Sequence, residues 1–86
     1  MFLAKVYVTL KPTVNDPQGK IILHGLKSLG FELATDVRTG KYLEIKISDA
    51  GREQANANID DMCKKLLANP VIESYRYELE EIANQV

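Results

Sequence analysis

The stretch "FELATDVRTGKYLEIKI", residues 31–47, decides the fold. Its second half alternates cleanly. Leu43, Ile45 and Ile47 point one way and Tyr42, Glu44 and Lys46 the other, which is the period-two signature of a strand. Its first half, Ala34 to Arg38, is less regular but reads as a second short strand. Thr39-Gly40 lies between them, with Gly40 supplying the positive φ of a tight hairpin turn. Two strands back to back here set the order of the whole chain.

Working toward the N-terminus, "PQGKIILHGLKSLG" (17–30) has helical spacing. Ile22, Leu26 and Leu29 form a stripe flanked by Ile21 and Leu23. Asp16 is a good N-cap, and Pro17 follows at the first helical position, where its missing N–H costs nothing. Gly30 ends the helix in the left-handed conformation. Before it, "FLAKVYVTL" (2–10) alternates, with Phe2, Ala4, Val6, Val8 and Leu10 on one face and Leu3, Lys5, Tyr7 and Thr9 on the other.

Toward the C-terminus, "SDAGREQANANIDDMCKKLLANP" (48–70) reads as a longer helix. Ser48 or Asp49 caps its start, and Asn69-Pro70 stops it. Ala55, Ile59, Met62 and Leu66 recur as a core stripe. Lys64 and Lys65 complement the helix dipole near its end. "VIESYRYELEEI" (71–82) returns to alternation as the last strand, fraying into a short turn over the final residues. The expected order is β-α-β-β-α-β. It describes an α+β two-layer sandwich of the ferredoxin-like kind, an antiparallel sheet with two helices on one face, in a single domain over residues 1–86.

The 86 residues carry a net charge of −1, so no strong attraction to nucleic acid is expected. No signal peptide and no run long enough to span a membrane is evident, and a cytoplasmic setting is expected. The single cysteine, Cys63, excludes an intrachain disulfide and a multi-cysteine metal site. Beside Ile59, Met62 and Leu66 it reads as an inert residue at the core's border rather than a reactive thiolate. The single histidine, His24, has no orienting carboxylate or nucleophile nearby in sequence and reads as a surface or interface residue.

"DPQGK" (16–20) is a poor phosphate loop, having one glycine and Ile21 where a Ser or Thr should follow the lysine. It is read as a strand exit, loop and cap. "TDVRTGK" (35–41) gathers Asp36, Arg38, Thr39, Gly40 and Lys41. A solvated turn and a docking knob are both open readings of it. Tyr75, Arg76 and Tyr77, with Tyr7 and Tyr42, offer residue types favoured at interfaces. Ordinary half-buried strand tyrosines and a self-association surface are equally open. No nucleophile–base pair, carboxylate pair or metal-ligand cluster emerges.

"KVYVTLKPTVNDPQGK", "LKSLGF", "DVRTGKYLEI" and "MCKKLLANPVIESYRYE" together resemble the PurS family, the small subunits of phosphoribosylformylglycinamidine (FGAM) synthase. The resemblance runs from Lys5 to Glu80. It implies a non-catalytic subunit of de novo purine biosynthesis, with no cofactor of its own. A glutaminase subunit, PurQ, releases ammonia, and a synthetase subunit, PurL, uses ATP and magnesium. The small subunit bridges the two and helps the ammonia pass. The resemblance also implies a homo-oligomer, dimer or tetramer, with the ferredoxin-like arrangement partly realised by exchange between chains. Asp36, Arg38, Gly40 and Lys41 match a family motif and are the first choice as contacts to a large subunit. Lys11, Asp16 and Gln18 are the second. In "ISDAGREQANANID" the acidic helix start usual for the family is replaced by a more neutral one. Two other readings stand beside this one. A small-molecule-sensing module of the same architecture is the alternative, and an acylphosphatase-like enzyme is disfavoured because Lys11-Pro12-Thr13 lacks the required arginine.

Overall fold

The first strand behaves as its alternation dictates. In the computed structural model, which describes residues 1–48 and 51–82, β1 (Phe2–Leu10) is the central strand of a three-stranded antiparallel sheet. It is flanked by β2 (Gly40–Ile47) and β3 (Glu73–Glu81), in the order β2-β1-β3. Phe2, Ala4, Val6 and Val8 are buried on one face. Val6 lies opposite Leu43 on β2 and Tyr77 on β3, so all three share that face. Tyr7 lies opposite Tyr42 and Arg76 on the other face.

Helix α1 (Pro17–Ser28) starts as read, with Asp16 as cap, and Gly30 follows it at φ 95°. Helix α2 (Arg52–Met62) continues into a π-helical turn, Cys63–Leu67. The core consists of the buried β1 residues with Ile47, Ala55, Ile59, Cys63 and Ala68. Three side-chain hydrogen bonds tie α2 to β3. Tyr75 donates to Asp60 at 2.7 Å, Tyr77 to the Asn56 carbonyl at 3.5 Å, and Arg52 to the Leu79 carbonyl at 3.4 Å.

Several expectations are corrected. Residues 34–39 form no strand and no hairpin, so the order is β-α-β-α-β. The polar groups of this segment find partners in the β1–α1 loop instead of in a neighbouring strand. Gly40 opens β2 without a positive φ. It sits opposite Thr9, where a Cβ would collide with the Val8 carbonyl oxygen. Helix α2 is preceded by Gly51, with no side-chain cap, so Ser48 does not cap it; Asp49 lies outside the described residues. Its buried stripe is Ala55, Ile59 and Cys63, not Met62 and Leu66. The π turn explains the change at the far end. The Ala68 N–H donates to the Cys63 carbonyl five residues back, and the wider turn leaves Leu66 83% exposed. The last strand begins at Glu73 rather than Val71. The expected terminal turn falls largely on residues 83–86, outside those described.

The two helices do not share one face of the sheet. Within α1 only Gly19 is buried. Ile21 is 73% exposed and Leu29, just past the helix, 76%. The chain is accordingly long and thin, 49 × 29 × 17 Å. Its radius of gyration of 16.8 Å exceeds the roughly 12 Å of a compact chain this size.

Candidate functional site

The residues singled out around the β1–α1 loop and before β2 converge on one end of the sheet. Asp16 begins as an ordinary N-cap, its Oδ1 accepting from the Gly19 N–H at 2.9 Å. Its other oxygen reaches across 23 residues. Oδ2 accepts from the Thr39 N–H at 2.6 Å, and the Thr39 hydroxyl lies 2.9 Å from both carboxylate oxygens. Asp16 is only 3% exposed, the one charged residue buried among those described. The Thr39 N–H, then the Gly19 N–H, hold its carboxyl below the usual carboxylate range, helped by the Arg38 charge.

Arg38 closes the same junction by donating to the Lys11 and Val14 carbonyls at 2.9 and 2.8 Å. Lys11 Nζ in turn donates to the Pro70 carbonyl at 2.8 Å. Gly19 allows the closest approach. A Cβ there would collide with the Val37 carbonyl oxygen.

Beside this junction Gln18, Gly40 and Lys41 line a shallow depression with Thr39 and Glu73. Lys41 Nζ lies 4.0 Å from Glu73. Asp36 and Arg38 line a neighbouring depression with Thr9, Leu10 and Pro12. Asp36 accepts from the Val37 N–H at 3.0 Å. All seven sequence-selected residues are therefore neighbours, but Asp16 and Arg38 are committed within the chain. Thr39 belongs to the polar "TDVRTGK" group, but its partner lies 23 positions away in sequence. Pro12 and Glu73 are additions that the sequence alone does not single out.

The tyrosines divide between the two sheet faces. Tyr7 and Tyr42 meet with ring centroids 5.0 Å apart, and the Arg76 guanidinium lies 3.9 Å over the Tyr7 ring. Lys5 pairs with Glu80 at 3.1 Å on the same face, and Tyr42 donates to Glu44 at 2.8 Å. Tyr75 and Tyr77 lie on the core face, packed beside α2. The five residues read as possible self-association contacts therefore do not lie on one surface. The hydrogen bond to Asp60 raises the Tyr75 phenol's pKa, and the Lys64 ammonium, 2.8 Å from Asp60, holds that carboxyl low.

Groups with chemical potential elsewhere are placed as follows. Cys63 is fully buried, and burial pushes its thiol up. His24 is exposed on α1. Among the described residues no group of three His, Cys, Asp or Glu is arranged to hold a metal ion, and no helix is long and apolar enough to cross a membrane.

An apolar mismatch completes the picture. Leu43 and Ile45 lie on the core face at the β2 side, away from α2's ties to β3, and are only half-buried. Meanwhile Ile21, Ile22, Leu29, Phe31 and Leu33 stand exposed along and beyond α1. Exposed apolar side chains along one stretch of chain are the kind of surface that marks an interaction site.

Comparison with known proteins agrees with this architecture. The family described as "PurS: Phosphoribosylformylglycinamidine (FGAM) synthase" matches residues 3–81. The phosphoribosylformylglycinamidine synthase subunit PurS of Bacillus subtilis is 48% identical over 85 residues, covering 99% of this chain and 100% of that protein. A crystal structure of B. subtilis PurS superposes with a TM-score of 0.85, at 49% identity, covering 94% of this chain and all of that one. PurS of Methanocaldococcus jannaschii, described as one of the subunits of formylglycinamide ribonucleotide amidotransferase in the purine biosynthetic pathway, gives a TM-score of 0.85. It is 40% identical and covers 96% of this chain and all of that one. A chain in the structure of PurLQS from Thermotoga maritima gives a TM-score of 0.82 at 25% identity, covering 93% of this chain and 99% of that one. With residues 3–81 matched by the family and nearly its whole length covered by relatives, the chain belongs to the PurS family of FGAM synthase subunits.

Proposed function

We propose that the chain is the non-catalytic subunit of an FGAM synthase complex in de novo purine biosynthesis. It bridges a glutaminase, PurQ, and a synthetase, PurL, and helps ammonia pass between them. The observation that carries this reading is the end-to-end match to PurS proteins, one of them in a PurLQS structure. The side chains support a surface role. Asp16 is consumed by internal hydrogen bonds, Asp60 by Lys64 and Tyr75, and Cys63 by burial. ATP and magnesium belong, in this reading, to PurL, and the complex works in the cytoplasm. The cluster Asp36, Arg38, Gly40 and Lys41, with Lys11, Asp16 and Gln18 behind it, forms one end of the domain suited to a large subunit.

Self-association is part of the same reading. In a ferredoxin-like layer both helices cover one sheet face. Here α2 is tied to the β3 side, and the Leu43/Ile45 side awaits a second helix. The α1 of a second copy fits that need, since its Ile21 and Ile22 lack cover in their own chain. The Tyr7/Tyr42/Arg76 face offers a second contact for a tetramer.

The test is reconstitution. The purified chain alone should show neither glutaminase nor ATPase activity, and should restore glutamine-dependent FGAM synthesis when added to PurL and PurQ. Full glutamine-dependent activity of those two without it would reject the bridging role.

A further inference from the structure

We propose that the Asp16–Thr39 clasp is a positioning device that fixes the direction in which α1 projects, and so sets the strength of self-association. The proposal rests on the self-association reading above. An N-cap needs one oxygen and one N–H. Asp16 uses both oxygens, and most of its bonds go to Thr39 rather than to its own helix. Thr39 immediately precedes β2. The carboxylate therefore fastens the first turn of α1 to the start of an edge strand.

The rest of α1 has little else to hold it. Gly19 is its one buried residue, and a Cβ added at Gly25, midway along, would meet nothing within 4 Å. A helix of 12 residues is about 18 Å long, so a change of about 20° at its base moves its tip by about 6 Å. That shift exceeds the tolerance of an aliphatic packing contact. Arg38 adds a second tie by holding the Lys11 and Val14 carbonyls of the loop that enters the helix. Because Gly19 has no side chain, the turn lies against the Val37 carbonyl and cannot ride up.

An arm free to swing would present its apolar face correctly only part of the time. The apparent dissociation constant rises by the inverse of that fraction. In a symmetric pair with two exchanged arms the factor enters twice.

Thr39→Val keeps the side chain's shape but removes the hydroxyl's contacts to both Asp16 oxygens, leaving the Thr39 N–H as the clasp's one remaining tie, and Thr39→Ser restores the hydroxyl. Sedimentation equilibrium of the full chain should show the dissociation constant raised at least about tenfold in Thr39→Val and near wild type in Thr39→Ser. Protection of the Cys63 thiol from a chromogenic disulfide reports the sheet–α2 unit and should not change. Spin labels at Lys27→Cys and Lys46→Cys, in an Ile22→Asp background that weakens the pair and leaves α1 undocked, give a second readout. The interlabel distances should be narrow with the clasp intact and broad in Thr39→Val. Broad distances with the clasp intact overturn the proposal even where Thr39→Val fails to fold. A wild-type dimer that Thr39→Val leaves equally tight overturns the clasp's role alone. A wild-type chain that stays monomeric overturns the self-association reading, and the clasp's role with it.

Discussion

Helix α1 carries Ile21, Ile22, Leu23 and Leu26 within twelve residues, whereas α2 has Ile59, Met62 and small or polar residues. Composition alone would bury the first and expose the second. The structure does the reverse: α2 delivers Ala55, Ile59 and, in the turn that follows, Cys63 to the core, while α1 leaves Ile21 and Ile22 in water. The difference lies in how each helix is attached. Helix α2 is anchored along its length by Arg52, Asn56 and Asp60 to β3. Helix α1 is anchored at one end, by Asp16. A helix of high apolar content held only at its base leaves that content exposed, and one of low content can still pack if small side chains let it approach the sheet closely.

The contrast can be broken most sharply at Ile59. Ile59→Ala in α2 should cost about 2–5 kcal/mol of stability, read as a fall in the urea midpoint. Ile22→Asp in α1 should do the opposite kind of damage. The single chain should keep its far-UV spectrum and its Cys63 protection while the dissociation constant of self-association rises at least about tenfold. If both substitutions unfold the chain alike, the two helices do not differ as described.

Acid sharpens the same comparison. The folded-state pKa of Asp16 is depressed, so its contribution is complete above the ordinary Asp value of 3.8 and is lost as pH falls through the lower folded value. Wild type should therefore begin to lose the α1 attachment only below pH 3.8, with the loss complete below the depressed folded value. Asp16→Asn should show a shallower acid dependence in that window, followed by circular dichroism against pH. Identical acid profiles would remove Asp16 from the attachment. The smallest effect belongs to Tyr75→Phe on the α2 side. It deletes the hydroxyl that donates to Asp60, and should lower the urea midpoint measurably but far less than Ile59→Ala.

Much of the architecture is local and could be read from the chain. The alternation of β1, the Asp16-Pro17 start and Gly30 stop of α1, and the strand character of residues 40–47 and 73–80 depend on neighbours a few positions apart. What escaped is governed by distant partners. Residues 34–38 resemble a strand until Thr39 and Arg38 bond to Asp16, Lys11 and Val14, more than 20 positions away. The stripe through Met62 and Leu66 assumed an unbroken 3.6-residue period, and the π turn at Cys63 interrupts it. Alternation separated Tyr75 and Tyr77 from Arg76 but could not say which face the helix would cover. In the candidate site the cap was legible, since a cap looks three residues ahead. The clasp was not, because nothing in "VRTG" names its acceptor.

Among the described residues, both outer strands of the sheet have one flank without a neighbouring strand. On β3 that flank belongs to a strand with Glu73, Glu78, Glu80 and Glu81 against a single Arg76. Two chains meeting there would set carboxylate against carboxylate, which discourages continuous ribbon growth. The glutamates thus act as a solubility guard that disfavours the route to endless fibres.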